Sequence, residues 1–169
     1  MYLIRPENVE EFAAIREVNE LAFGRSAEAN LVDALRRSGK VVASLIAIED
    51  EKIIGHIFFS PVVIETPAQS IKIIGLAPMA VLPAFQKRGI GAALVNAGLD
   101  ACKKSGHAAV IVLGHPHYYP RFGFVPASRF GIKSEYDVRD EAFMALELQT
   151  DALANCAGMA KYQEEFNEL

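Results

Sequence analysis

Only two cysteines, Cys102 and Cys156, occur in the 169 residues. That number and spacing exclude a disulfide framework and a cysteine metal site, and they fit a reducing compartment. No apolar run approaches the roughly 20 residues that cross a bilayer. No excess of cations exists either. The net charge of −4 argues against a general nucleic-acid or anionic-membrane surface, so any anion site must be local. Repeats and low-complexity tracts are missing. The start, "MYLIRPENVEEF", carries acid where a signal peptide would carry a cationic region, so we expect a cytoplasmic protein.

The chain does have apolar residues in quantity. They make up 51% against 22% charged, enough for a buried core, and the length predicts one domain over 1–169. Residues 2–5 read as a short strand. "NVEEFAAIREVNELAF" predicts a helix with Val9, Phe12, Ala13, Val18, Leu21 and Ala22 on its apolar face. A second helix follows in "SAEANLVDALRRSG", with Ser26 as N-cap, Leu31, Val32 and Leu35 inward and Gly39 at the stop. "VVASLIAIE", "IIGHIFFSPVVIE" and "IKIIGLAPMAV" predict three strands. Pro61 marks an edge or bulge in the second, and Pro78 irregular pairing in the third. A helix over about 89–104 ends in Lys103, Lys104 and Gly106. "AAVIVLG" is apolar throughout, as a central strand is, and "FMALEL" is a later one. The expected fold is α/β or α+β, a mixed sheet with helices on its faces, and the unit from 71 to 113 should hold a parallel pair.

"QKRGIGA", residues 86–92, stands between the third strand and its helix. A helix start leaves about four N–H groups unpaired and carries about half a positive charge. Glycines there let the backbone approach a ligand, so an anion site is possible, with Gln86, Lys87 and Arg88 as added donors. Neither the P-loop nor the dinucleotide glycine pattern is present. On the glycines alone, a plain turn is as good a reading.

The wider context decides between them. "VLPAFQKRGIGAALV" resembles the coenzyme A motif of the GCN5-related N-acetyltransferases, with Gln86, Gly89 and Gly91 in the pattern and Val81 and Pro83 in the approach. "YYPRFGF" is similar to the same family's tyrosine segment, with Tyr119, Gly123 and Phe124 in register, and the combination looks like the YhbS-like subgroup. The resemblance implies a mostly antiparallel mixed sheet whose central parallel pair splays apart. It implies acetyl-CoA as cosubstrate, held by the backbone of Met79, Ala80 and Val81 and by Gln86, Lys87, Arg88, Gly89, Ile90, Gly91 and Ala92. It further implies direct attack of an amine on the thioester, an oxyanion donor near Ala80 or Val81, and Tyr119 as donor to the leaving thiolate, with Tyr118 as its rival.

The general base is unassigned, because "IGLAPMAV" holds no acid. Glu28 is a candidate for acceptor binding and His117 for the base, beside His115 on the tyrosine loop. His115-x-His117 lacks a third ligand, so no metal is expected. The acceptor, small molecule or protein amine, is left open. So are a catalytically weak acyl-CoA sensor, another acyl-CoA, and a homodimer formed through late strands.

Overall fold

The computed structural model describes residues 1–169. In chain order the elements are β1 (Leu3–Pro6), α1 (Phe12–Phe23), α2 (Ala27–Arg37), β2 (Ala43–Glu49), β3 (Lys52–Glu65), β4 (Ser70–Val81) and α3 (Ile90–Lys104), then β5 (Ala109–Leu113), β6 (Val125–Pro126), β7 (Ile132–Ser134), β8 (Phe143–Glu147) and β9 (Gly158–Lys161). All nine strands join one sheet, ordered β1-β2-β3-β4-β5-β8-β6, with β9 paired to β3 and β7. β4 and β5 run parallel, as the crossover through α3 requires, and most other pairs are antiparallel.

Alternation along β3 shows which helix covers which face. Gly55 turns toward α3, where an added Cβ would meet Leu94 Cδ1 at 2.9 Å. Its neighbour His56 turns the other way, to Asn19 of α1. Phe58, on the His56 side, packs with Leu31, Val32 and Leu35 of α2. Helices α1 and α2 therefore cover one face and α3 the other, the arrangement expected from the sequence.

Both strand prolines sit where their missing N–H does no harm. Gln163 Nε2 donates to the Pro61 carbonyl at 3.0 Å, in the gap on one side of β3 between the β2 pairing that ends at Phe59 and the β9 pairing that begins at Val63. Pro78 lies in a bulge: Ile57 pairs with Met79 and Phe59 with Leu76, so two β4 residues oppose Phe58 alone.

The first helix departs from the expected face. Its fully buried residues are Ile15, Val18 and Asn19, while Val9 and Leu21 are exposed. Val9 lies in a turn of 3₁₀ helix, Val9–Glu11, ahead of α1, and Leu21 falls to the side of the stripe that Ile15, Val18 and Asn19 form at helical spacing.

Five polar residues meet under α1 and α2. Asn19 Nδ2 donates to the Ile15 carbonyl and approaches His56 Nδ1, both at 3.1 Å. His56 Nε2 lies 2.8 Å from Ser44 Oγ, whose hydroxyl donates to Glu7. Arg36 closes the chain with Nη2 2.6 Å and Nε 3.1 Å from the Glu7 carboxylate. These partners assign a neutral imidazole with its proton on Nε2. Burial alone would raise the Glu7 carboxyl, but its contacts with His56, Arg36 and Ser44 hold it at about 2. Burial likewise depresses the His56 imidazole and favours its neutral form.

Both shifts make the fold acid-sensitive. The unfolded chain takes up protons first, at His56 below about pH 6.5 and at Glu7 below about pH 4.5, so stability is lost as pH falls through those windows. Glu7 contributes about 3 kcal/mol at neutral pH by this count. Glu7→Gln should therefore lower the melting temperature by about 6–12 °C at pH 7 and flatten its decline below about pH 4.5. Thermal unfolding across pH checks it, and a variant melting with the wild type at pH 7 refutes it.

Candidate functional site

β4 and β5 stay paired only from Ile74–Val110 to Leu76–Val112. β4 then runs on through its bulge to Val81 and leaves β5 behind. Between them opens a cleft of about 590 Å³. It passes through the sheet, from the start of α3 on one face to Ala22, Phe23, Glu28 and Leu31 of the α1–α2 side on the other.

The β4 backbone lining the cleft has unused groups. Leu82 N donates to Ile54 O, so residues 82 and 80 face β3. By alternation the N–H groups of Met79 and Val81 face the cleft. The Val81 carbonyl points the same way and accepts a bond of 3.0 Å from Gln86 Nε2.

The loop to α3 is a second set of donors. Lys87 and Gly89 take left-handed backbone angles, φ +63° and +81°. The first bond of α3 runs from Ala93 N to Gly89 O. The N–H groups of residues 87–92 have no acceptor in the protein. Six consecutive free amides at the start of a 15-residue helix form a concave donor surface for an anion.

Met79, Ala80, Val81, Gln86, Lys87, Gly89, Ile90, Gly91 and Ala92 all line the cleft. Arg88 does not. Its guanidinium pairs with Glu49 at 2.8 and 3.0 Å and lies 5.4 Å from the Phe85 ring centre. The side chain expected to be a phosphate donor instead ties the loop to the end of β2. Gln86 is also engaged in holding the loop, through Val81.

Tyr119 is 7% exposed and lines the cleft. Its ring packs edge-on against Tyr118 and Phe124, and an added Cβ at Gly114 would strike it. Its hydroxyl has no protein partner, yet it is not among the sealed, unpartnered polar atoms of the interior, so it opens on the cleft. Burial pushes this phenol up to about 12. The Tyr118 hydroxyl stands 3.1 Å from where a Cβ of Gly91 would lie, over the first turn of α3, with the Arg121 guanidinium 4.6 Å from its ring centre. The two tyrosines are thus sequence neighbours with different surroundings.

Glu28 and His115 line the cleft, and His117 lies outside its lining. Glu28 is the one acidic side chain among the lining residues, and Arg25 holds it at 2.9 and 2.5 Å. Sequence reasoning missed Phe23, Phe85, Leu113 and Arg121. Leu113 could have been found, because ligands gather at the carboxyl ends of parallel strands. Arg121 lies inside the quoted tyrosine segment.

Known proteins match this architecture. Residues 3–127 fit the family model described as an acetyltransferase (GNAT) domain. The uncharacterized N-acetyltransferase YhbS of Escherichia coli K12 is 36% identical over 168 residues, 99% of each chain. A crystal structure of the E. coli YhbS in complex with CoA superposes with a TM-score of 0.92, at 35% identity, covering 98% of this chain and 92% of that one. A GNAT family acetyltransferase from Brucella melitensis in complex with acetyl-CoA superposes with a TM-score of 0.82, at 34% identity and 98% coverage of both chains. A match over most of the chain to the family model, with full-length relatives above 30% identity, leaves one assignment: the chain belongs to the GNAT family of acetyltransferases.

Proposed function

We propose that the protein is an acetyl-CoA-dependent N-acetyltransferase that moves the acetyl group to a primary amine by direct attack. The observation that carries this reading is the cleft through the sheet at the β4–β5 splay, which ends on six free amides at the start of α3. A diphosphate fits that surface because uncharged donors and the helix dipole meet its charge without a cationic cluster. The complexes of the two similar proteins with CoA and acetyl-CoA support it.

Each residue's task follows from its position. Amides 87–92 hold the diphosphate, and the cleft-facing N–H groups of Met79 and Val81 bond the arm that leads to the thioester. The Val81 N–H is the donor for the negative charge that develops on the carbonyl oxygen. Tyr119 aims its hydroxyl at the leaving sulfur. The attacking nitrogen must be neutral, which costs a lysine-type amine about 4.6 kcal/mol at pH 7 and an α-amine about 1–1.5. Desolvation in the cleft and the Glu28 carboxylate bear on that cost. We assign the protein to the cytoplasm, where this cosubstrate and its two free thiols both fit; no helix is long and apolar enough to cross a membrane.

Calorimetry with acetyl-CoA, followed by thiol release against an amine panel, tests the reading. We expect one-site binding in the micromolar range and amine-dependent thiol release. Failure to bind any acyl-CoA refutes it. Binding without release on any amine turns the protein into an acyl-CoA sensor.

A further inference from the structure

The two halves of the cleft differ in chemistry. The cations Lys87 and Arg121 belong to the α3 half: Lys87 is in the amide loop, and Arg121 stacks on Tyr118, whose hydroxyl covers Gly91. The α1–α2 half has large apolar side chains left open. Phe23 is 39%, Leu113 45% and Leu169 50% exposed, and all three line this cleft. Five other large apolar residues are exposed, and none of them lines this cleft. Apolar groups that a fold leaves in contact with water at the mouth of a cleft mark a binding surface. Among them is one acidic group, Glu28, nearly buried and fixed by Arg25.

From this pairing we infer that the acceptor is a small primary amine on an apolar aryl or alkyl body, with a single positive charge. The inference rests on the reading above, in which acetyl-CoA fills the α3 half. Glu28 takes the ammonium, and Phe23 and Leu113 take the body. The two act on different steps: Glu28 favours the ammonium that binds, and the apolar walls favour the neutral amine that attacks. A polyamine or aminoglycoside brings several further charges, while Glu28 is the one acidic side chain lining this half, and each charge left unpaired would lose water without a partner. A small polar amine such as ethanolamine leaves the apolar walls unfilled.

Thiol release by the purified full chain at saturating acetyl-CoA tests it, with 2-phenylethylamine and hexylamine against ethanolamine and spermidine. We expect kcat/KM about tenfold or more higher for the first two. Phe23→Ala and Leu113→Ala should each cut the phenylethylamine-to-ethanolamine ratio about tenfold, mainly through the amine KM. Glu28→Gln should lower kcat/KM for both apolar amines about tenfold with acetyl-CoA affinity retained in calorimetry. Equal or better use of spermidine or ethanolamine overturns the inference. So does bound acetyl-CoA with no release from either apolar amine. A wild-type protein that does not bind acetyl-CoA removes the reading beneath, and this inference with it.

Discussion

Gly91→Val should abolish acetyl-CoA binding, with a loss of about a hundredfold or more in affinity and little change in melting temperature. A Cβ at this position would lie 3.1 Å from the Tyr118 hydroxyl and 3.3 and 3.5 Å from the Met79 Cε and Sδ. Valine adds two methyls to that already tight space, in front of the free amides of residues 87–92. A phosphate kept from that surface loses charge-assisted hydrogen bonds of about 1.5–3 kcal/mol each, and two of them exceed a hundredfold. The fold itself has little to lose. Valine is a better helix residue than glycine, and the crowded atoms are the outer ends of Tyr118 and Met79 side chains. Gly91→Ala is the control: its single methyl needs a shift of only a few tenths of an ångström, and affinity should fall about fivefold or less. Gly89 contributes differently. Open space surrounds it, but its φ of +81° disfavours any side chain by about 1 kcal/mol. Calorimetry and thermal unfolding of the two Gly91 variants and of Gly89→Ala separate these effects. Wild-type affinity in Gly91→Val would refute the amide surface as the diphosphate site.

That surface was legible in the sequence because its signal is local. The glycines, the apolar strand before them and the helix stop at Lys103–Gly106 lie within one unit, so short-range rules reach all of them. The apolar run 109–113 likewise announced a strand buried between two others. Pro78 predicted irregular pairing, and the bulge stands there. What was not legible depends on long-range register. Glu7, Asn19, Arg36, Ser44 and His56 come from five elements and loops, and only the pairing of β2 with β3 under α1 and α2 brings them together. Arg88 looked like a phosphate donor because its neighbours line the cleft; its partner Glu49 lies 39 residues away. The apolar face of α1 went wrong for local reasons: Val9 lies in a 3₁₀ turn before the helix, and Leu21 falls to the side of the Ile15–Val18–Asn19 stripe. Phe23 and Leu113 are ordinary apolar residues at element ends, and only the splay of β4 from β5 gives them a role.

Tyr119→Phe should lower kcat about 10–100-fold and leave acetyl-CoA affinity and stability nearly unchanged. The magnitude follows from the phenol's own chemistry. Burial holds its pKa up at about 12. A thiol titrates near ~8.5, so full proton transfer from this phenol to a thiolate would be uphill by about 5 kcal/mol. Tyr119 therefore acts as a hydrogen-bond donor to the developing thiolate, and the proton that finally neutralises the sulfur comes from elsewhere. A hydrogen bond to a charged acceptor contributes about 1.5–3 kcal/mol, which corresponds to about 10–150-fold in rate. A true general acid would be worth more, up to about 10⁴-fold. Phenylalanine keeps the edge-on packing with Tyr118 and Phe124 and removes a hydroxyl that bonds to nothing in the protein, so the fold should not respond. Because the phenol pKa is raised, the group stays protonated through the assay range, and the wild-type kcat profile should show no fall from this residue below about pH 11. Steady-state thiol release in both proteins, with pH profiles, decides the matter. Wild-type turnover in Tyr119→Phe removes the residue from the reaction. Loss of acetyl-CoA affinity with kcat preserved would make it a binding group and return the thiolate contact to Tyr118, whose hydroxyl also bonds to nothing in the protein.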